Sequence, residues 1–392
     1  MTEDIFIVAA RRTPIGAFQG ALSGATAPQL ASAAVRAAVT DSRVSGEQID
    51  EVILGCVLPA GLGQAPARQA SIGAGLPHSV PVTTINKVCG SGMRSAMIGC
   101  DAIRAGSARI VVAGGFESMT NAPYLLPKAR QGYRMGHGEI LDHMFYDGLQ
   151  NPYDGQMMGH FADATASKYQ FTRADQDEFA AESVRRALAA CNSGAFGAEI
   201  APVTIRGRKG DQLVERDEPP FNCDISKIPN LKPAFSKDGT VTAASSSSIA
   251  DGAAALVLMS EAAARAAGAT PLARVVAYAS HAHAPEWFTT APAGAIRRVL
   301  EKAGWSADAV DLYEINEAFA VVTMAAMRDV GLAHARVNVN GGACAMGHPI
   351  GATGARIMTT LVHALKARGL KRGVASLCIG GGEATAIAIE TV

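Results

Sequence analysis

The chain has 392 residues, more than most single domains, which predicts two or three of them. Its 35 basic and 35 acidic side chains balance, so no overall charge favours nucleic acid or an anionic membrane as a partner. The seven cysteines include no CxxC pair, which indicates reduced thiols rather than a disulfide framework or a zinc site. Because no signal-peptide pattern and no apolar run of about 20 residues is seen, we expect a cytoplasmic protein. From the cysteine pattern we expect no metal.

Helix and strand patterns occur twice in the same order. Residues 29–55 predict an amphipathic helix, a polar turn and a strand, and residues 294–316 predict the same three elements. A glycine-rich corner follows each unit, at 86–92 and at 338–354, and leads into a helix and then an apolar strand. We therefore predict an α/β protein whose two similar halves arose by duplication and whose two corners face each other.

The stretch from about 118 to 248 interrupts this order. It is rich in proline, tyrosine and charged residues and contains one clear helix, at 173–190. Four serines at 245–248 mark the return to the core, and an apolar strand at 253–259 follows. The serines fit either a flexible linker or a tight loop facing a site. The predicted units are an N-terminal half (1–118 and 249–270), an inserted loop domain (119–248) and a C-terminal half (271–392).

Three side chains in glycine-rich settings indicate acyl transfer through a thioester. Cys89 lies at the first corner, where the start of a helix favours a thiolate and its backbone N–H groups can bind an oxyanion. His348 lies at the second corner, at the position expected to correspond to Cys89. Cys378 ends an apolar strand that runs into three glycines. These residues fit a nucleophile, its base and a second acid/base, and a buried structural role is the alternative for each cysteine.

Other polar residues near the predicted strand ends leave two interpretations open. Asn316 ends the first strand of the C-terminal half, where its amide would orient a water, donate to an oxyanion or cap a turn. Basic clusters at 128–134 and 206–209 fit either a phosphate-bearing substrate or solvated surface.

The motifs taken together resemble the thiolase family. The resemblance extends from residues 11–16 (RRTPIG) to residues 378–382 (CIGGG), and its most specific motifs are NEAFA at 316–320, NVNGG at 338–342 and GHPIG at 347–351. It implies the thiolase fold, in which two pseudo-twofold related βαβαβαββ halves form a five-layered αβαβα core and a loop domain is inserted in the first half.

The resemblance also implies a role for each candidate. Cys89 would carry the acyl group as a thioester. His348 would activate Cys89 and, with a water held by Asn316, would bind the thioester oxygen of the acyl-CoA. Cys378 would exchange a proton with the α-carbon of the second substrate. The backbone N–H groups of Cys89 and Gly380 would form a second oxyanion hole. The residues expected along the pantetheine channel are Ser247, Ala234, Phe235, Met157, Ala318 and Phe319.

The implied activity is the interconversion of two acetyl-CoA with acetoacetyl-CoA and CoA, without a cofactor other than these CoA thioesters. A degradative 3-ketoacyl-CoA thiolase with longer acyl chains is the alternative within the family. Family members that make acetoacetyl-CoA often have histidine where this chain has Met157, and a Met-Gly-x-Gly-Pro motif where it has residues 288–292. These departures leave the preferred chain length open. The segment 121–142 fits an exposed hairpin. In the resembled family, loops at this place join dimers into tetramers, so we expect a homotetramer.

Two other classes of protein share parts of this pattern. A decarboxylating ketoacyl synthase would have a second histidine in place of Cys378. A catalytically silent lipid carrier or scaffold would not need Cys89, His348 and Cys378 together. The complete set therefore favours the acyltransferase.

Overall fold

A computed structural model describes residues 3–208 and 210–392. Its strands are β1 (Ile5–Arg12), β2 (Gly16–Ala17), β3 (Glu51–Gly55), β4 (Val82–Ile85), β5 (Ile110–Ser118), β6 (Tyr124–Leu125), β7 (Leu141–Asp142), β8 (Val203–Ile205), β9 (Gln212–Val214), β10 (Ala250–Ser260), β11 (Ala273–Ala282), β12 (Leu312–Ile315), β13 (Arg372–Ile379) and β14 (Glu383–Thr391). Its α-helices are α1 (Ala27–Ser42), α2 (Pro66–Gly73), α3 (Ser91–Arg104), α4 (Met158–Tyr169), α5 (Arg173–Ser193), α6 (Glu261–Ala266), α7 (Ala291–Ala303), α8 (Ala320–Val330), α9 (Ala343–Met346) and α10 (Thr353–Ala367). Short turns of other helix types occur at Gly46–Gln48, Met144–Leu149, Pro219–Asn222, Ile225–Asn230, Pro285–Thr290, Ala307–Ala309 and His334–Arg336.

The central sheet repeats one pairing scheme in both halves. In the N-terminal half β1 pairs with β10, β10 with β5, and β5 with β3. In the C-terminal half β11 pairs with β14, β14 with β13, and β13 with β12. The first two pairings are antiparallel and the third is parallel in each half, and a short β1–β11 pairing joins the halves. The predicted duplication is therefore confirmed.

The side chains of the central strands alternate between two cores. On β10, Leu256 and Leu258 pack in the inner core with α3 and α10, whereas Ala255 and Val257 pack in an outer core with α1 and α2. β14 alternates in the same way between the inner core and an outer core with α7. Helices thus cover both outer faces of the sheets and fill the space between them. This arrangement confirms the predicted five-layered αβαβα fold.

Helices α3 and α10 lie against each other in the central layer. They begin at Ser91 and Thr353, so the corner residues can be compared by their distance from each helix start. Cys89 lies two residues before α3, and the equivalent residue before α10 is Gly351, not His348. The expectation that His348 corresponds to Cys89 is therefore wrong by three residues. His348 lies five residues before the start of α10, whereas Cys89 lies two residues before the start of α3.

The interrupting segment contains α4, α5 and two small hairpins, β6–β7 and β8–β9. Helix α5 begins at Arg173 as predicted, because Thr172 caps its first turn and accepts a hydrogen bond from the Asp175 N–H. It ends at Ser193 before Gly194, which has a left-handed conformation. The limits of the inserted domain stay a prediction. In the described part of the chain, no helix is both long enough and apolar enough to span a bilayer.

Candidate active site

A pocket of about 210 Å³ brings together residues from both halves and from the inserted segment. Its wall includes the predicted catalytic residues Cys89, His348, Cys378 and Gly380, and the predicted channel residues Met157, Phe235, Ser247, Ala318 and Phe319. Two predicted residues, Asn316 and Ala234, lie outside the pocket wall. Ala234 is exposed and adjoins Phe235, whereas Asn316 is buried at the end of β12.

The loop before α3 holds Cys89 in a strained turn. Val88 has a left-handed backbone with φ 47°, which is rare for a β-branched residue. Two side chains secure this turn. Asn86 Oδ1 accepts a hydrogen bond from the Val88 N–H at 2.8 Å, and Ser91 Oγ accepts from the Lys87 N–H at 2.8 Å and donates to the Val88 carbonyl at 2.7 Å. Strain of this kind is typical of functional sites.

The thiol of Cys89 is neutral in the resting site. Burial raises its pKa to about 11, although the backbone N–H groups of Gly380 and of Cys89 itself act in the opposite direction. The negative charge of Glu117 raises it further. The backbone donors act in the expected direction and favour the thiolate, but burial outweighs them. The nucleophile needs a base.

His348 has its Nε2 atom free to act as that base. Its Nδ1 lies 2.7 Å from Thr353 Oγ1, and that hydroxyl donates its own hydrogen to the Pro349 carbonyl at 2.9 Å. Thr353 must then accept from Nδ1–H, so Nε2 carries the lone pair. Nε2 is buried and has no hydrogen-bond partner within the described residues. Burial, followed by the charge of Arg356, lowers the pKa of His348 to about 3, which keeps the imidazole neutral.

Cys378 and Gly380 form the end of β13 beside the first corner. Cys378 is 1% exposed, and burial raises its pKa well above the usual range for a thiol, with a further contribution from Cys89. The N–H of Gly380 points at the sulfur of Cys89, as does the N–H of Cys89. Two backbone donors therefore converge on the sulfur of Cys89.

Asn316 lies behind the pocket wall with both amide atoms unused. It is 1% exposed, and neither Oδ1 nor Nδ2 has a hydrogen-bond partner within residues 3–208 and 210–392. Its backbone N–H donates to the Ser376 carbonyl at 3.0 Å, two residues before Cys378. A buried amide with this free capacity suits binding of a water or a substrate oxygen.

Glu117 connects the second corner to the loop that follows β3. Its carboxylate accepts from the N–H groups of Val57 at 3.0 Å, Leu58 at 3.1 Å and Gly351 at 3.0 Å. Gly351 belongs to the loop that carries His348, whereas Val57 and Leu58 follow β3 in the other half. Burial raises the pKa of Glu117 to about 7, against the lowering effect of these donors.

The serine loop and the loop before α8 form one side of the pocket. Ser247 donates from its N–H and from its hydroxyl to the Ala318 carbonyl, both at 3.0 Å. Ser246 and Phe319 form an antiparallel bridge. The predicted tight loop is therefore correct, and the linker interpretation is wrong. Phe235 lies edge-on to Phe319, with their ring centroids 5.8 Å apart.

Aromatic rings form part of the pocket wall. Phe288 and Phe319 both line it and stand edge to face, with centroids 6.4 Å apart. Phe161 supports Phe288 from behind in the same way, also at 6.4 Å. Most of the remaining wall is apolar, formed by Met119, Phe145, Leu149, Met157, Met158, Ile249 and Ile350.

Residues 5–262 match the thiolase N-terminal domain, and residues 269–391 match the thiolase C-terminal domain. The chain belongs to the thiolase family. It is 50% identical over 389 residues to an acetyl-CoA acetyltransferase of Pseudomonas aeruginosa, with 99% of each chain covered. It is 48% identical to an enzyme of the same name from Cupriavidus necator, again with 99% of each covered. The crystal structure of the Bacillus anthracis acetyl-CoA acetyltransferase has a TM-score of 0.97 and 44% identity, covering 100% of this chain and 99% of that one.

Two polar residues of this thiolase site escaped the sequence interpretation. Thr353 sets the tautomer of His348, and Glu117 joins the loop after β3 to the second corner, as described above. Neither contact leaves a local sequence signal, because each joins residues through the folded loops. Across the described residues, no group of three or more metal-ligating side chains occurs.

Proposed function

We propose that the chain is an acetyl-CoA acetyltransferase, which interconverts two acetyl-CoA with acetoacetyl-CoA and CoA. The observation that carries this proposal is the meeting of Cys89, His348 and Cys378 in one narrow pocket, with Nε2 of His348 free to accept a proton. The names of full-length relatives support it. CoA thioesters are the only substrates required.

The first half-reaction transfers an acetyl group to Cys89. The sulfur attacks the thioester carbonyl of acetyl-CoA while Nε2 of His348 takes the thiol proton, which is necessary because the thiol is neutral at rest. The carbonyl oxygen becomes negative and is bound by two backbone N–H groups, those of Cys89 and Gly380. The C–S bond of acetyl-CoA then breaks, and CoA leaves with the proton returned from His348. The product is acetyl-Cys89.

The second half-reaction forms the carbon–carbon bond. Cys378 first loses its thiol proton to solvent, and the thiolate then removes a proton from the methyl carbon of a second acetyl-CoA, whose thioester oxygen is held by His348 and by a water on Asn316. The resulting carbanion attacks acetyl-Cys89 and the C–S bond to Cys89 breaks, so acetoacetyl-CoA forms and Cys89 leaves as a thiolate that takes a proton back from solvent. The raised pKa of Cys378 suits this step, because a weakly acidic C–H bond needs a strong base. In thiolysis the same thiol returns the proton.

Activity with defined substrates tests the proposal. The purified chain is expected to condense acetyl-CoA and to cleave acetoacetyl-CoA with CoA. Because Phe288 and Phe319 narrow the pocket, kcat/KM is expected to fall steeply beyond four carbons in the ketoacyl chain. Equal activity on 3-ketohexadecanoyl-CoA would indicate a degradative 3-ketoacyl-CoA thiolase instead. Condensation only with malonyl-CoA and release of CO₂ would indicate a ketoacyl synthase. No activity with any thioester would refute the proposal.

We also propose a homotetramer in the cytoplasm. The hairpin β6–β7 carries strongly exposed apolar side chains, including Tyr124 at 67% and Met135 at 85% exposure. An exposed apolar surface of this kind suits contact with another subunit. All seven cysteines are free thiols, which suits a reducing compartment. Light scattering at micromolar concentration is expected to give four times the chain mass, and a monomer mass would refute the assembly.

A further inference from the structure

Strand β12 places charged and polar side chains on a buried face. Tyr313 and Ile315 pack outward in the core with α7, so the alternate residues Glu314 and Asn316 face the central helix layer. Both are almost fully buried, at 2% and 1% exposure. Arg356 of α10 lies in that layer and is 1% exposed. A buried carboxyl group therefore faces a buried guanidinium group.

Glu314 is the counter-ion of Arg356. Oε2 of Glu314 lies 3.8 Å from Nη1 of Arg356. None of the three guanidinium nitrogens has a hydrogen-bond partner within the described residues, although the group has five N–H donors. The other acidic groups nearby are already bound. Glu199 pairs with Arg12 at 2.6 Å, and Glu317 accepts three hydrogen bonds from other residues.

The ion pair joins the two elements that carry the proposed site for the thioester oxygen. Thr353, one turn before Arg356 on α10, holds the imidazole of His348. Asn316 follows Glu314 by two residues at the end of β12. Any shift of α10 relative to β12 would therefore change the distance between His348 Nε2 and the Asn316 amide. Both groups must reach the same oxygen in the second half-reaction.

We propose that Arg356 is a positioning residue, whose ion pair with Glu314 fixes α10 against β12 so that His348 and Asn316 bind one thioester oxygen. This inference rests on the proposed function. Buried polar residues that support a site from behind are a common way to fix its geometry. The positive charge has a second effect, because it disfavours protonation of the nearby His348.

The two groups of the ion pair act on each other's pKa, since Glu314 raises that of Arg356 and Arg356 lowers that of Glu314. Burial raises the pKa of Glu314 to about 8, while Arg356 acts in the opposite direction. The other charged groups that act on Arg356 are Arg12, Glu199 and Glu317. Arg12 is itself held by Glu199 and Asp217.

A pair of variants separates positioning from simple support of the fold. Arg356→Met alone leaves Glu314 buried without its counter-ion and is expected to unfold easily. The double variant Arg356→Met/Glu314→Leu removes both charges, a change that is often neutral for stability. The control is the partly exposed ion pair on the far strands, replaced as Arg274→Met/Glu390→Leu. Thermal unfolding, and kcat and KM for thiolysis of acetoacetyl-CoA, are measured for each protein.

The double variant is expected to unfold near the wild-type temperature, to keep its KM and to lose about 10²-fold in kcat, because a misplaced group can cost that much. The control is expected to keep its kcat. A wild-type kcat in the double variant would overturn the inference. Should that variant fail to fold, Glu314→Gln breaks the ion pair but keeps Arg356. A lower kcat at unchanged KM would then support the inference, and a wild-type kcat would overturn it. An inactive wild-type chain would instead refute the proposed function.

Discussion

Gly92 and Gly354 each lie in the first turn of a helix and contact the first turn of the other's helix. A Cβ atom built on Gly92 would lie 2.7 Å from the Ala355 nitrogen, and one built on Gly354 would lie 2.3 Å from the Met93 nitrogen. The contact is reciprocal, since each glycine meets the residue that follows the other. It lies on the pseudo-twofold axis and brings the starts of α3 and α10 together. The two corners therefore face each other, as the duplication predicts.

Gly354→Ala is expected to destabilise the protein and to separate the two corners. Its new methyl group would meet backbone atoms of Met93, which cannot turn away as a side chain can. Overpacking of this kind typically costs about 1–3 kcal/mol. Chemical denaturation measures the change. Gly99→Ala, later in α3, is the matched control, because its nearest neighbours are side-chain atoms of Leu258 and Val111 at 3.1 Å. Equal effects of the two variants would contradict the expectation.

Thr353→Val is expected to lower the rate of acetylation of Cys89. Valine keeps the shape of threonine but cannot accept the hydrogen bond from Nδ1–H of His348. The imidazole can then adopt the wrong tautomer, and the loss approaches the full value of a general base, about 10²–10⁴-fold. Thr353→Ser restores the hydroxyl and is expected to recover most of the rate. Stopped-flow release of CoA from acetyl-CoA is the measurement. An unchanged rate in Thr353→Val would mean that another group orients His348.

Variants of the two thiols, Cys89 and Cys378, are expected to lose different steps of the reaction. Cys89→Ala should form no acyl-enzyme, because the pocket has no other thiol at the first corner. Cys378→Ser should still accept an acetyl group but should not condense, because a hydroxyl is a poor base for a C–H bond. Intact-mass spectrometry after mixing with acetyl-CoA shows the difference. An acetylated Cys89→Ala, or a Cys378→Ser variant that condenses at the wild-type rate, would reverse the assignment.

Folding stability is expected to fall as the pH rises from about 5 to 8. Burial raises the pKa of Glu117 from 4.5 to about 7, so its contribution is greatest below pH 4.5 and is lost as the pH passes the folded value. The difference corresponds to about 3 kcal/mol. Glu314 acts with the same sign over a similar range. Urea unfolding at several pH values measures the slope.

Glu117→Gln is expected to flatten this slope and to lower stability throughout. An amide nitrogen in place of either oxygen would face a backbone N–H donor of Val57, Leu58 or Gly351. Glu47→Gln, at an exposed site, is expected to leave the slope as it is. A slope that survives unchanged in Glu117→Gln would assign the effect to other groups.

Phe288→Leu is expected to widen the acyl end of the pocket. Phe288 lines the pocket, whereas Phe161 supports it from behind, so Phe161→Leu is the matched control. The ratio of kcat/KM for 3-ketohexanoyl-CoA to that for acetoacetyl-CoA should rise about tenfold in Phe288→Leu, since one methylene is worth about 1–3 kcal/mol. It should change little in Phe161→Leu. The same rise in both variants would mean that general loosening, not pocket shape, sets the chain length.

The sequence was sufficient for the architecture and for the residues that stand in unusual local settings. Hydrophobic periodicity predicted α1, α3, α7 and α10, and the glycine clusters drew attention to Cys89, His348 and Cys378. Strand β10 proved longer than the predicted 253–259, because Ala250, Asp251 and Gly252 continue the pairing at positions without a strong apolar pattern. The order of elements is a local property, so a single sequence carries it.

What could not be predicted depends on contacts between distant residues. The left-handed Val88 has no glycine to announce it, since Asn86 and Ser91 impose that conformation through hydrogen bonds. Glu314 and Arg356 become partners only when β12 and α10 lie face to face, and no local pattern indicates that contact. The exact correspondence of the two corners also required the observed helix starts.

The apolar wall of the pocket determines how long an acyl-enzyme can last. Thioesters hydrolyse when water reaches the carbonyl, and methionine, leucine, isoleucine and phenylalanine side chains line the pocket that Cys89 faces. An acetyl group on this sulfur would therefore be protected from hydrolysis until a second CoA compound binds. Because the thioester is not lost to water, the site can catalyse the reaction in both directions. The net flow of carbon would then follow the cellular ratio of acetyl-CoA to free CoA, and not a preference built into the protein.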